Sequence, residues 1–439
     1  MVWPVPICFN QIGMTYSEGC SLPLLQSDTP FEPTTGRTRW HTRPLFLDAA
    51  LRDSHLRTRR VGRRTCLALC ELWVIIAAHS GIVGAWRLAG VCRAARRGAK
   101  EWLRTLPRFV VCGGQAGGGV HTRTVWRLDL GELRSERLPD LTTGRAHHFC
   151  CAVRGGVVVL GGSVLEAADR RTLVTRRERG VEILGRDSPG AEVNIFKVLP
   201  PLSCGPIQGS AVVVIDESDS DQGQVLLIGG RGARGESTSA VRKVDLATGD
   251  CTVQPALLCP QGHVITDSMA GRLPDGRIVC TGTNCIESFI DESYDEEKME
   301  YDTMAQVLEP PPHGSPSGAS WQWRALPGMS VPHDYGGRGC VLSDGRFAVF
   351  GGVDASGSAT MSCEALTLDA DSGRWGALPP MHEQRWGFAC VAVGGCVIVA
   401  GGGDSITAEV YEEGLERWRR LPCSLPHDGQ LYSTGSALL

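Results

Sequence analysis

Short unbroken runs of hydrophobic residues, each closed by paired glycine, recur along the chain. They read FVVCGG at 109–114, VVVLGG at 157–162, VLLIGG at 225–230, FAVFGG at 347–352 and VIVAGG at 397–402. A weaker copy, IVCTGT at 278–283, keeps only Gly282. Runs this short and this rich in β-branched residues predict strands buried on both faces rather than helices. The pairs Gly113-Gly114, Gly161-Gly162, Gly229-Gly230, Gly351-Gly352 and Gly401-Gly402 then mark points where the backbone turns sharply or passes close to another backbone.

Around each run the pattern repeats. Most copies are preceded by a second apolar segment, such as HHFCCAV at 147–153 or GFACVAV at 387–393, joined by Asp-Gly or Gly-Gly hairpin signals. A variable loop follows the glycines, then a strand often ending in Asp (VWRLD, VRKVD, EALTLD). A fourth strand carries an aromatic ahead of Leu-Pro: WQWRALP at 321–327, RWGALPP at 374–380 and ERWRRLP at 416–422. This four-strand unit resembles the kelch repeat over residues 107–439. The resemblance implies an all-β, six-bladed propeller that binds another protein on one face.

Strand counting bears on closure. The first copy begins directly at its glycine strand, and the last is followed by an apolar segment, TGSALL at 434–439, with no glycine strand after it. Joined, the two halves make one blade and hide the sheet edges. The alternative is a chain cut off in mid-strand.

Ahead of the repeats, residues 1–65 show no periodicity and hold nine arginines between Arg37 and Arg64, the pattern of a disordered basic arm. Residues 66–106 differ. Cys66 to Trp86 has the length of a membrane span, but Glu71, His79 and the helical spacing of apolar and arginine positions beyond it predict two or three short amphipathic helices. The segment LCELWVIIAAH followed by WRLAGVCRAARRGAKEW resembles a degenerate F-box, without the usual Leu-Pro start. That resemblance implies binding to a Skp-type adaptor and cullin, with Leu72, Val74, Ile75, Leu88, Val91 and Cys92 at the apolar contact positions. The alternative is a helical cap.

Composition changes this picture little. Fifty-five glycines in 439 residues fit a protein of many tight turns, and a net charge of −4 gives no reason to expect a nucleic-acid partner. The 18 cysteines show neither zinc spacing nor a disulfide framework, and several lie inside apolar runs, which predicts a reducing, intracellular setting. No nucleophile or phosphate-loop motif is present, so neither catalysis nor a cofactor is expected. Charge is concentrated in loops. The stretch 287–302 carries eight carboxylates against Lys298, of which Asp291, Glu292 and Asp295 are expected to contact a partner, while 169–180 is basic. Arg145, Arg338 and Arg385 precede apolar strands in three copies and are expected to rim a partner-binding face. The whole reads as a protein-interaction module, the target-recruiting subunit of a cullin-RING ubiquitin ligase. A kelch scaffold without that role is the alternative, and an enzyme using the central channel is a third reading.

Overall fold

The computed structural model describes residues 70–154, 156–167, 173–185, 196–216, 223–234, 236–261, 263–286, 302–310, 320–369, 372–403, 405–424 and 431–439. The basic arm, 1–65, lies outside the described residues. The chain divides into two compact units, Met1–Leu103 and Arg104–Leu439. The division falls three residues before the boundary expected at 106.

In the first unit, α1 (Cys70–Leu88) and α2 (Arg93–Leu103) pack together. Gly81, at φ 70° and ψ −178°, breaks α1 into two short helices, so three short helical pieces result. The packing is close because α2 presents Gly98 to α1. A Cβ there would stand 2.5 Å from Trp73 Cβ and 2.7 Å from the Cys70 carbonyl oxygen. No helix among the described residues is long and apolar enough to cross a membrane.

The second unit is built almost wholly of strands, in an arrangement compatible with a propeller. Six of its sheets are four-stranded and antiparallel throughout. The first joins Gly435–Leu438, Phe109–Cys112, Val125–Asp129 and Arg134–Leu138 in that spatial order. The second joins Phe149–Val153, Gly156–Leu160, Val181–Gly185 and Phe196–Leu199. The third joins Ala211–Asp216, Gln224–Ile228, Val241–Asp245 and Cys251–Gln254, and the fourth His263–Arg272, Ile278–Ile286, Asp302–Glu309 and Gln322–Leu326. The fifth joins Arg338–Val341, Phe347–Phe350, Cys363–Leu368 and Gly373–Leu378. The sixth joins Ala389–Val393, Cys396–Ala400, Thr407–Glu412 and Arg417–Ser424.

The second strand of each sheet is the hydrophobic run seen in the sequence. It is buried along its whole length in Phe109–Cys112, Gly156–Leu160, Phe347–Phe350 and Cys396–Ala400. The reason is layering: apolar clusters lie between successive sheets. Val158, Leu160 and Ile183 meet Val225 and Leu227, for example, while Phe350 and Ala365 meet Val399, Tyr411 and Trp418. Leading strands of successive sheets also lie side by side, and Gly435–Leu438 contacts the leading strands of both the second and the sixth sheet. Phe109 to Cys112 pairs with Leu438 to Gly435, residue for residue.

The paired glycines share one backbone conformation. The first glycine of each pair has φ between 53° and 71°, from Gly113 to Gly401, and the second between 91° and 120°, from Gly162 to Gly402. The fourth copy departs from this for a visible reason. Its second strand does not turn but runs on for nine residues, Ile278–Ile286. Gly282 there serves space, not conformation, since a Cβ would meet Ile265 Cγ2 and the Thr266 carbonyl oxygen at 2.6 Å each.

Candidate functional site

Just before each leading strand the backbone passes through the left-handed region. Ser433 (φ 51°), His147 (52°), Gly209 (67°), Asp267 (49°), Gly336 (97°) and Gly387 (63°) take this place in sheets one to six. In the fourth sheet the turn falls inside the leading strand, as an irregularity in register between Thr266 and Met269. Several of these turns are tied to the next by backbone bonds: His147 N–H donates to Ser433 O (3.1 Å), Gly209 N–H to His147 O (3.3 Å) and Gly387 N–H to Gly336 O (2.8 Å). All six turn residues line one open cavity. Non-glycine residues at positive φ are uncommon, and here they accumulate at a single location.

The residues flanking these turns give the cavity two unlike halves. On one side Tyr335 lines the cavity, and Trp386 and Tyr432, each like it immediately ahead of a turn glycine or serine, continue from it outside the lining as an aromatic arc with ring centroids 6.1 and 4.6 Å apart. Tyr335 remains 55% exposed, so this arc is open to a ligand. On the other side stand Gln208, Arg231, Thr266 and Asp267. Arg231 directly follows the Gly229-Gly230 pair, and its backbone bonds Gln208 in both directions at 2.8 and 3.1 Å.

Electrostatics at the cavity follow from partial burial. Arg338 reaches across two neighbouring sheets, donating from Nε to Phe388 O (2.7 Å) and from Nη2 to Thr434 O (2.8 Å). Burial holds the Asp267 carboxyl above its ordinary value, partly offset by Arg231, the Tyr335 backbone N–H and Arg338. Asp334 accepts a hydrogen bond from Thr283 Oγ1. Burial, with repulsion from Asp267 behind it, pushes the Asp334 carboxyl up to about 7. Burial brings His147 down to about 4, aided by the positive charges near it, so its imidazole is neutral at pH 7. His148 points inward and accepts the Gly435 N–H at Nε2 (3.2 Å), at the seam between the first and second sheets.

Of the three arginines expected at a rim, only Arg338 lines this cavity. Arg145 and Arg385 are corrections: they are 2% and 0% exposed. Arg145 pairs with Glu182 and donates to Gly161 O (3.1 Å) and Gly180 O (3.1 Å). Arg385 pairs with Glu409 (2.9 Å) and donates to Gly401 O (2.7 Å). Each therefore holds the carbonyl of the first glycine of a pair and has no free face to offer a partner. In the fifth sheet His333 takes this role, donating from Nδ1 to Gly351 O (2.6 Å) with Nε2 3.4 Å from Glu364. Asp291, Glu292 and Asp295 lie outside the described residues.

In the helical unit, Ile75 and Cys92 are exposed, Leu72, Val74 and Val91 are half-buried, and Leu88 is buried. Leu88 therefore has no surface to give an adaptor. The sequence reading missed Tyr335, Trp386, Tyr432, Asp267, Asp334 and Arg231. A signal was available for the aromatics and Asp267, which fall at or next to the position two residues ahead of an apolar strand.

No protein-family model and no curated protein matches the chain.

Proposed function

We propose that residues 107–439 form a six-bladed kelch-type propeller, closed by pairing of Phe109–Cys112 with Gly435–Leu438, whose cavity mouth holds a segment of another protein. The observation that carries the binding reading is the convergence of six left-handed turns on one cavity lined by Tyr335, Arg231, Asp267 and Arg338, with Trp386 and Tyr432 next to Tyr335. Tyr, Trp and Arg around a central depression are the side chains that dominate protein-binding energetics, because they bury large area with few rotatable bonds. A rigid ring of sheets fixes their positions before the partner arrives, which lowers the ordering cost of binding. The six-bladed reading is supported by the six four-stranded sheets and by the contacts of Gly435–Leu438 with sheets on either side.

The test is proximity labelling with wild-type protein and with a Tyr335→Ala/Trp386→Ala variant. Both aromatics are partly exposed, so the variant keeps its melting temperature while the labelled partner set loses its main members. An unchanged partner set would remove the cavity mouth from the binding reading.

A second reading concerns the helical unit as an F-box-like module that joins a Skp-type adaptor and cullin. Its support is the uncovered apolar surface at Ile75, with Leu72 and Val74 beside it. Ile75→Asp is expected to abolish adaptor retrieval by the full chain. If neither protein is retrieved by wild type, the ligase role fails and the scaffold role remains. The reducing, intracellular placement belongs to the same proposal, and fourteen of the described cysteines carry free thiols.

A further inference from the structure

One side of the cavity mouth is rimmed with arginine, and the charge comes from two segments that the fold lays side by side. The first is a hairpin inserted between the second and third strands of the second sheet, Ser163–Ala167 with Leu173–Arg177. It is anchored by pairing of Arg145 and Ala146 with Val164 and Ser163. This hairpin supplies Arg176 and Arg177, and Arg179 follows just past its end. The second segment is the loop after Gly229-Gly230, with Arg231 and Arg234. Ile207 and Gln208 run between the two. The Ile207 N–H donates to Glu178 O (3.3 Å), and Gln208 exchanges backbone bonds with Arg231 at 2.8 and 3.1 Å. Arg177 spans the gap directly, donating from Nη1 to Ala233 O (3.2 Å).

Little on the protein itself answers this charge. Arg176 pairs with Glu178 at 3.3 Å. Arg177, Arg179, Arg231 and Arg234 form no ion pair among the described residues. Arg179, Arg231 and Arg234 are exposed, and the half-buried Arg177 has a buried Nε with no hydrogen-bond partner among the described residues. The carboxylates within the two segments are turned onto their own backbone. Glu178 Oε1 accepts the Arg179 and Gly180 N–H groups at 2.8 Å each, and Glu236 Oε2 accepts the Arg234 N–H (2.7 Å). On the cavity wall, Asp267 is near enough for Arg231 to act on its carboxyl.

Exposed guanidinium groups stay hydrated, so a rim of them steers and orients an oppositely charged partner more than it holds it. Holding falls to Tyr335 and the cavity beside it. Glu178, Glu236 and Asp267 interrupt the positive field, and a net charge of −4 opposes a continuous run of phosphates. A short acidic stretch of protein fits this rim better than a nucleic-acid strand. Taking the cavity mouth as a protein-binding site, we propose that the partner docks there with an acidic segment, its carboxylates on Arg177, Arg179, Arg231 and Arg234 and the residues beside them against Tyr335.

Fluorescence polarisation with the full-length protein tests this. The probes are labelled peptides of alternating Glu and Gly or alternating Gln and Gly, and a single-stranded oligonucleotide of like length. The Glu peptide is expected to bind about tenfold more tightly than the Gln peptide at low salt, and to lose that margin at about 0.5 M salt, where exposed charges are screened. Arg231→Glu/Arg234→Glu should abolish the margin, whereas Arg374→Glu, at an exposed position on the outer strand of the fifth sheet, should keep it. Equal binding of the two peptides by wild-type protein overturns the proposal, and so does tighter binding of the oligonucleotide; neither result depends on how a variant folds. Proximity labelling with Arg231→Glu/Arg234→Glu separates the rim from the cavity. If it retains the partners that Tyr335→Ala/Trp386→Ala loses, the acidic segment is refuted and the cavity mouth stands; loss of the same partners supports the rim.

Discussion

The ionisable residues in and beside the cavity are governed by what surrounds them rather than by their own chemistry. Asp334 shows this most clearly, with a carboxyl at about 7 instead of 3.8 because burial and Asp267 both disfavour its ionised form. The folded protein therefore holds a proton there between about pH 4 and 7 that the unfolded chain has lost. With more protons bound in the native state, stability falls as pH climbs through that window. Asp334→Asn is expected to flatten this part of the melting-temperature profile. Superimposable slopes for variant and wild type between pH 4 and 7 would refute it. Arg145 and Arg385 teach the opposite lesson about reading charge. An arginine seen in sequence suggests a surface, yet the partners that permit burial, Glu182 and Glu409, lie 37 and 24 residues further on. Nothing local announces them. The glycine pairs were legible because their cause is local: a turn needing positive φ at two successive positions.

Between elements, two kinds of tie join one sheet to the next, and both use positions visible in the repeat. Trp323, Trp375 and Trp418 each donate an indole N–H to a proline carbonyl after the preceding sheet, on Pro255, Pro327 and Pro379 at 2.9, 2.9 and 2.8 Å. The Trp-x-x-Leu-Pro pattern is thus a donor and an acceptor that meet across sheets, a relation spacing alone does not reveal. The second tie is an acid or amide on the third strand. Glu182, Gln306, Glu364 and Glu409 accept backbone N–H groups of Thr142, Leu258, Ser330 and His382, in the connection ahead of their own sheet. Glu409 does this while also pairing with Arg385, and both are fully buried. Glu409→Gln leaves the buried guanidinium only the more distant carboxylate of Glu383 (3.5 Å) and is expected to cost about 3 kcal/mol. Urea unfolding measures it, and a loss below about 1 kcal/mol would show that Glu383 and the carbonyls of Gly401 and Thr407 suffice to hold Arg385.

At the scale of the molecule, strands and their order along the chain could be read from hydrophobic pattern, but the cavity could not. Its lining comes from turns spread between His147 and Ser433, and these share no motif beyond their distance from an apolar strand. The aromatic arc is one consequence: Tyr335, Trp386 and Tyr432 are isolated in sequence and neighbours in space. Convergence of that kind depends on how the leading strands stand beside one another, and the contacts of Gly435–Leu438 with the leading strands of the second and sixth sheets are what bring the last turn to the first. A strand added from the far end of the chain makes the first and last repeats interdependent, so the unit should unfold as a whole rather than repeat by repeat.

Removing residues 431–439 tests this most directly. The shortened protein is expected to lose its single cooperative thermal transition, melting earlier and in more than one step, because Phe109–Cys112 is left as an exposed edge strand. A single transition at the wild-type temperature would contradict closure by the terminal strand.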